Sequence, residues 1–249
     1  MKDKDKELTF IEHLGELRKR IIYMMTATFI AAAICYHFSL QLLEFVIAPL
    51  LSALPPKSHI IFTGLTEAFW VRIEIALVAA LIFVSPFNFY QLWAFISPGL
   101  KKLEKRFVIP FVLSSSILFI TGAAFAYFAV FPIAFRFLIS YGGSSLTALP
   151  SIKAYLSLVM KLILGFGLVF ELPVATFFLA IFGIIDHKFM IKNFAYAILI
   201  IFVIAAVLTP PDVFSQFLMA VPLIILYLIS IVIAKLVNKK KPEEKENDT

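Results

Sequence analysis

The stretch TFIEHLGELRKR, residues 9–20, decides how the rest of the chain is read. It is short and polar, and it stands directly in front of a long apolar run. Leu14, Leu17 and Ile21 recur at helical spacing, so one side can lie on an apolar surface. Glu12, Glu16 and Arg20 fall four residues apart on another side. Thr9 followed by Glu12 forms a capping box, which predicts a helix start here. The cluster Arg18-Lys19-Arg20 then marks the point where the chain leaves water.

Working outward, the composition explains what it enters. Of 249 residues, 61% are apolar and only 15% are charged, and the mean hydropathy is +0.97. Soluble domains carry fewer apolar and more charged residues. The charges gather in a few clusters, and the apolar runs between them are too long for core helices. A polytopic, all-α membrane protein follows. The net charge of +6 belongs to loops that set topology rather than to nucleic-acid binding, because the basic clusters lack interleaved aromatics. Cys35 is the sole cysteine, which excludes an intrachain disulfide. No A-x-A cleavage site follows the first apolar run at Tyr36-His37-Phe38, so a retained first span is expected rather than a signal peptide.

Six apolar segments are predicted as spans, at about 21–38, 73–95, 107–131, 154–182, 194–208 and 214–237. They form one transmembrane domain over 1–237, followed by a charged cytoplasmic tail, 238–249, expected to be disordered. The N-terminus, residues 97–106, residues 183–192 and the tail from Lys235 hold 17 of the 22 Lys and Arg residues. The positive-inside rule therefore places both termini in the cytoplasm. The fifth segment would make a helix of roughly 22 Å against a hydrocarbon core of about 30 Å. With only Thr209-Pro210-Pro211-Asp212-Val213 before the last span, the final pair reads as a short hairpin that thins the bilayer. Prolines 86, 110, 132, 173 and 222 predict kinks, and hence a cracked or concave bundle. Leu40–Leu51 reads as a short interfacial helix.

Polar residues at membrane depth are the candidate sites. Glu171, in GFGLVFELPVA, lies roughly 15 Å along its helix from Lys161. A carboxylate near mid-bilayer costs about 2.5–3.5 kcal/mol on insertion scales, so it should face protein or water. It is either a protonated acid bonded to a neighbouring helix or a functional polar group. Asp212 reads as an N-cap of the last span, with a water-exposed acid in thinned membrane as the rival. Gln216 and Gln91 add amides at depth, each equally suited to helix-to-helix bonding. Glu104 stands among Lys101, Lys102, Lys105 and Arg106, either paired locally or accepting a cationic partner. Glu16 has Arg20 at the favourable spacing, yet reads as the acid left to face outward. A partner presenting arginines suits it best, since guanidinium grips carboxylate with two prongs. No HExxH, G-x-S-x-G or P-loop is present, and the four histidines share no metal-ligand spacing.

Five blocks now converge: EHLGELRKR at 12–20, SPFNFYQLWAFISPGLKKLEKR at 85–106, GAAFAYFAVFPIAFRFL at 122–138, GFGLVFELPVA at 165–175 and LTPPDVFSQFLMAVPL at 208–223. In this order they resemble TatC, the multi-spanning subunit of the twin-arginine (Sec-independent) protein translocase. The resemblance implies a glove-shaped six-helix bundle in the bacterial inner membrane, with both ends cytoplasmic and the last two spans short. It implies no enzyme activity, no cofactor and no metal. It implies a receptor for twin-arginine signal peptides that exports folded cargo on the proton-motive force. TatA- and TatB-type subunits, membrane lipid and further copies of the chain in a complex are the implied partners.

By motif, the signal-peptide acids fall on Glu16 and Glu104, with Arg18, Arg20 and Phe95 on the same surface. The intramembrane polar positions fall on Glu171, Gln91, Asp212 and Gln216. Gly15 beside the key acid, Lys161 within a span and the missing proline before Glu67 depart from the family's pattern. Rival classes, a proton-coupled solute transporter using Glu171 or an intramembrane enzyme, are disfavoured by the absence of repeats and of a catalytic constellation.

Overall fold

A computed structural model describes residues 10–55, 58–96, 108–141 and 149–246. The capping residue Thr9 and Glu104 lie outside them. Helix α1 spans Phe10–His37 without interruption, so the polar lead-in and the first apolar run are one rod. It turns at Phe38 into α2, Ser39–Ala53, where an interfacial helix was expected. Next come α3, Glu67–Phe83, and α4, Ser85–Ile96. Beyond them lie α5, Val108–Phe125, a π turn at Ala126–Val130, and α6, Phe131–Ser140. Then follow α7, Ile152–Val169, α8, Leu172–Ile181, and α9, His187–Lys192. The last pair is α10, Phe194–Leu208, and α11, Val213–Glu246.

Four helical stretches are long and apolar enough to cross a bilayer: 12–37, 108–140, 152–181 and 213–238. A fifth is the pair α3 and α4, bent by 59°. The bend has a local cause. Pro86 has no amide to offer the Ile82 carbonyl, and the Ser85 hydroxyl donates to that carbonyl at 2.8 Å instead. Between α7 and α8, Pro173 likewise accompanies a break at Phe170–Glu171. At Pro132 the outcome differs from the predicted end of the third span at 131. The π turn immediately before it absorbs the missing hydrogen bond, and the helix runs on to Ser140. Residues 132–140, expected in a loop, are therefore helical. Pro110 falls in the first turn of α5, where its amide is not needed, and α11 continues through Pro222.

One further expectation is corrected. Of the last two spans only α10, at 15 residues, is short, because the apolar face of α11 continues to Asn238. Helix α11 continues to Glu246, into the segment expected as a charged tail. Its Lys and Glu residues are good helix formers and extend a helix already nucleated in the span.

The core is built by close approach. A Cβ on Gly122 of α5 would lie 2.5 Å from the Phe166 carbonyl oxygen of α7. One on Gly167 would lie 2.8 Å from the Phe119 ring. The two glycines thus let α5 and α7 cross at backbone distance, as small residues do in membrane bundles. Alanines 31, 32, 76, 79 and 80 play the same part where α1 meets α3 around Cys35. At the end of α7 where the chain enters it, Tyr155 donates to the Val46 carbonyl at 2.7 Å and Tyr127 to that of Phe45 at 2.6 Å. These bonds tie α2 to the bundle. Ile61 bridges Ser151, its amide donating to the Pro150 carbonyl and its carbonyl accepting from the Ile152 amide, both at 3.1 Å. Buried Glu67 accepts the Thr63 amide at 2.8 Å and the Thr63 hydroxyl.

Candidate functional site

The first turns of α1 face the last turn of α4. His13, Glu16 and Arg20 recur at three- and four-residue spacing, so they share one side of α1. Gln91 and Phe95 do the same on α4. Arg20 bridges the two helices. Its Nη2 donates to Glu16 Oε1 at 3.1 Å, and its Nη1 donates to Gln91 Oε1 at 2.9 Å. Gln91 is 5% exposed, whereas the Glu16 and Arg20 side chains are 23% and 25% exposed. The His13 ring stacks on Phe95, centroids 4.4 Å apart and planes 14° from parallel. Arg18 is exposed on another side of α1.

Glu16 thus holds a guanidinium from its own helix, the pair that the four-residue spacing allowed, rather than being left to face outward. The reason is length. An arginine one turn on reaches back to the acid while its second nitrogen finds the buried amide of Gln91. Glu16 Oε2 makes no bond among the described residues. One carboxylate oxygen of Glu16 is thus taken by a guanidinium of its own chain, at the head of the segment leading to Glu104.

The second site lies inside the bundle. Glu171 stands at the α7–α8 break, its carbonyl accepting the Ala175 amide at 2.8 Å. Its carboxyl faces Ser115 of α5. Glu171 Oε1 and Ser115 Oγ are both buried, and their contact falls short of full hydrogen-bond geometry. The flanking serines show why this is unusual. Ser114 donates to Phe111 O at 3.1 Å and Ser116 to Val112 O at 2.6 Å, each satisfied on its own helix. Trp93 Nε1, fully buried against Phe111 and Phe178, is also unpartnered. Below the break, an apolar groove of about 770 Å³ runs between α5, α8 and α11 from Pro173 to Val237.

The α10–α11 hairpin holds the remaining candidates. Asp212 Oδ1 accepts the Ser215 amide at 2.7 Å, the N-cap bond that the sequence suggested. Its Oδ2 is buried and unpartnered. Gln216 Nε2 donates to the Phe202 carbonyl at 3.1 Å and so locks α11 to α10. No hydrogen bond joins either residue to Glu171 among the described residues. The polar positions thus sort into a paired surface cluster, an interior acid and a structural hairpin. No group of three potential metal ligands occurs among the described residues.

His13 and Ser115 belong to these sites although the sequence reading assigned them no functional part. The signal for His13 was its three-residue offset from Glu16. Ser115 carried no signal beyond lying in a serine triplet.

The family model described as "Sec-independent protein translocase protein (TatC)" matches residues 12–222, a span that includes every one of these candidates. The TatC protein of Desulforapulum autotrophicum is 43% identical over 246 residues, covering 99% of this chain and 91% of its own. That of Carboxydothermus hydrogenoformans is 42% identical, covering 95% and 97%. A crystal structure described as the twin arginine translocase receptor TatC superposes with a TM-score of 0.82 at 41% identity. It covers 91% of this chain and all of that one. A second crystal structure of that receptor, in the detergent DDM, gives 0.83 at 40%. With a match of that breadth in both sequence and fold, the chain belongs to the TatC family of Sec-independent protein translocase subunits.

Proposed function

We propose that this chain is the signal-peptide receptor of a twin-arginine translocase in a bacterial inner membrane. It spans the membrane six times with both termini cytoplasmic. The bent pair α3–α4 counts as one crossing and α10 as a short one. It works with TatA- and TatB-type subunits and other copies of itself, and it draws on the proton-motive force to export folded cargo.

The observation that carries this reading is the Glu16–Arg20–Gln91 network. It already holds one guanidinium in a charge-assisted bond at a partly exposed edge. A second acid, Glu104, follows α4 by eight residues. Two arginines of an incoming peptide need two carboxylates, and Glu16 and Glu104 supply them. Arg20 holds the Glu16 side chain in place, Phe95 and His13 cover one flank, and Arg18 lies on the exposed side. The apolar part of the signal then runs into the bundle toward Glu171, whose unsatisfied Oε1 gives it a part in a later step.

Photo-crosslinkers placed at positions 16 and 104 should capture a peptide bearing paired arginines. Glu16→Gln and Glu104→Gln should each suppress capture by crosslinkers placed at Phe95. Undiminished capture in both variants would refute the two-acid clamp.

A further inference from the structure

Lys161 is a cation with no partner among the described residues, and the fold leaves it open to the membrane. It lies nine residues into α7, roughly 13 Å below the start of that helix. The end of α10 and the hairpin residues Thr209 and Pro210 border the same groove as Lys161. Leu208 packs against Gly165, where an added Cβ would lie 2.8 Å from Leu208 Cδ1. Above the hairpin tip, Leu50 of α2 and Phe135, Leu138 and Ile139 of α6 border this side of α7. The result is a groove of about 500 Å³ between α6, α7 and the end of α10. Its walls are apolar, including Phe135, Leu138, Leu158 and Val207, and its floor carries Lys161 and Ser157 beside Thr209.

We infer that this groove holds an acidic phospholipid of the outer leaflet, with its phosphate on Lys161 and an acyl chain along Leu138, Leu158 and Val207. The inference rests on the six-span reading, which puts the hairpin tip below the outer membrane surface. Charge complementarity selects the occupant. A lysine at this depth needs an anion, and the walls need apolar cover. One molecule that lives in the bilayer supplies both. Thr209 spends its proton on the Ala205 carbonyl, at 2.8 Å, so it cannot donate to the phosphate. Asp212 caps α11 through Oδ1 and is not among the residues lining the groove. Ser157 is left as the second donor. The volume suits a headgroup with part of a chain rather than a single ion. By drawing a headgroup down to Lys161, the site would give the thinned bilayer beside α10 a fixed anchor.

The test is native mass spectrometry of the full chain in detergent, with dimyristoyl phosphatidylglycerol against dimyristoyl phosphatidylcholine. The wild type should retain the acidic lipid roughly five-fold better, the effect of one basic residue at a membrane surface. Lys161→Met should reduce that preference to parity and Lys161→Arg should keep it. Lys153→Met, on the same helix but outside the groove, should leave it unchanged. An undiminished preference in Lys161→Met overturns the site, as does retention of inorganic phosphate with no preference between the lipids. Labelling of a cysteine at Pro211 by a membrane-impermeant reagent reports the hairpin separately. Labelling from the outside with no loss in Lys161→Met defeats the lipid site alone. Labelling from the cytoplasm defeats the six-span reading and the site with it.

Discussion

The two acids that matter most in this molecule are treated in opposite ways. Glu16 sits at an edge and is bonded to Arg20, which in turn is bonded to Gln91. Glu171 sits inside the bundle, where Oε1 is buried and has only a loose contact with the Ser115 hydroxyl. A carboxylate held by a guanidinium keeps its charge and geometry, which suits recognition of another guanidinium. A buried oxygen without a partner costs stability and persists only where something else uses it. The difference is what the proposed division rests on, with recognition at the α1–α4 edge and a later step at the α7–α8 break.

The sharpest way to break that contrast is Glu16→Gln. Losing a charged hydrogen bond of about 1.5–3 kcal/mol should weaken twin-arginine peptide binding by roughly ten-fold or more. Isothermal calorimetry on the full chain reads this directly. Next comes Glu171→Gln, which should lower export of a folded precursor in inverted vesicles while leaving the peptide affinity at the wild-type value. A loss of affinity there would merge the two sites. Smaller again is Arg20→Lys. An ammonium cannot reach Glu16 and Gln91 in the same two-pronged way. The α1–α4 seam should lose about 1 kcal/mol, seen as a lower unfolding temperature.

The smallest expected effect is a control far from both acids. Asp186 lies in the connection between α8 and α9, where burial alone would raise its carboxyl. The adjoining His187 ring, 2.6 Å away, and the Asn238 amide overcome this and hold it below the ordinary aspartate value. Stability from these contacts is therefore present above the ordinary value and lost as pH falls through the lowered one. Hydrogen exchange of residues 186–190 should rise in acid, and Asp186→Asn should flatten the response. Peptide binding should be indifferent to this change.

Much of this was legible in the sequence because membrane helices announce themselves by apolar length. The positions of α1, α7, α10 and the apolar part of α11 follow from hydropathy alone. The local Glu16–Arg20 pair follows from four-residue spacing, and the Asp212 cap from its place before the last span. Long-range partners did not follow. Arg20 and Gln91 are 71 residues apart, and no periodicity connects them. Ser115 became visible only when α5 brought it to Glu171. The passage of a helix through Pro132 depended on a π turn, a device without a composition signal. The helical continuation to Glu246 escaped notice because Lys and Glu favour both helices and solvated tails.

If Glu16 binds an incoming arginine as proposed, it should recognise guanidinium geometry and not charge alone. Affinities of the full chain should therefore be compared for peptides with paired arginines and paired lysines, in the wild type and in Glu16→Gln. The account predicts a strong preference for arginine in the wild type and collapse of that preference in the variant. An arginine-to-lysine ratio unchanged by Glu16→Gln would contradict it.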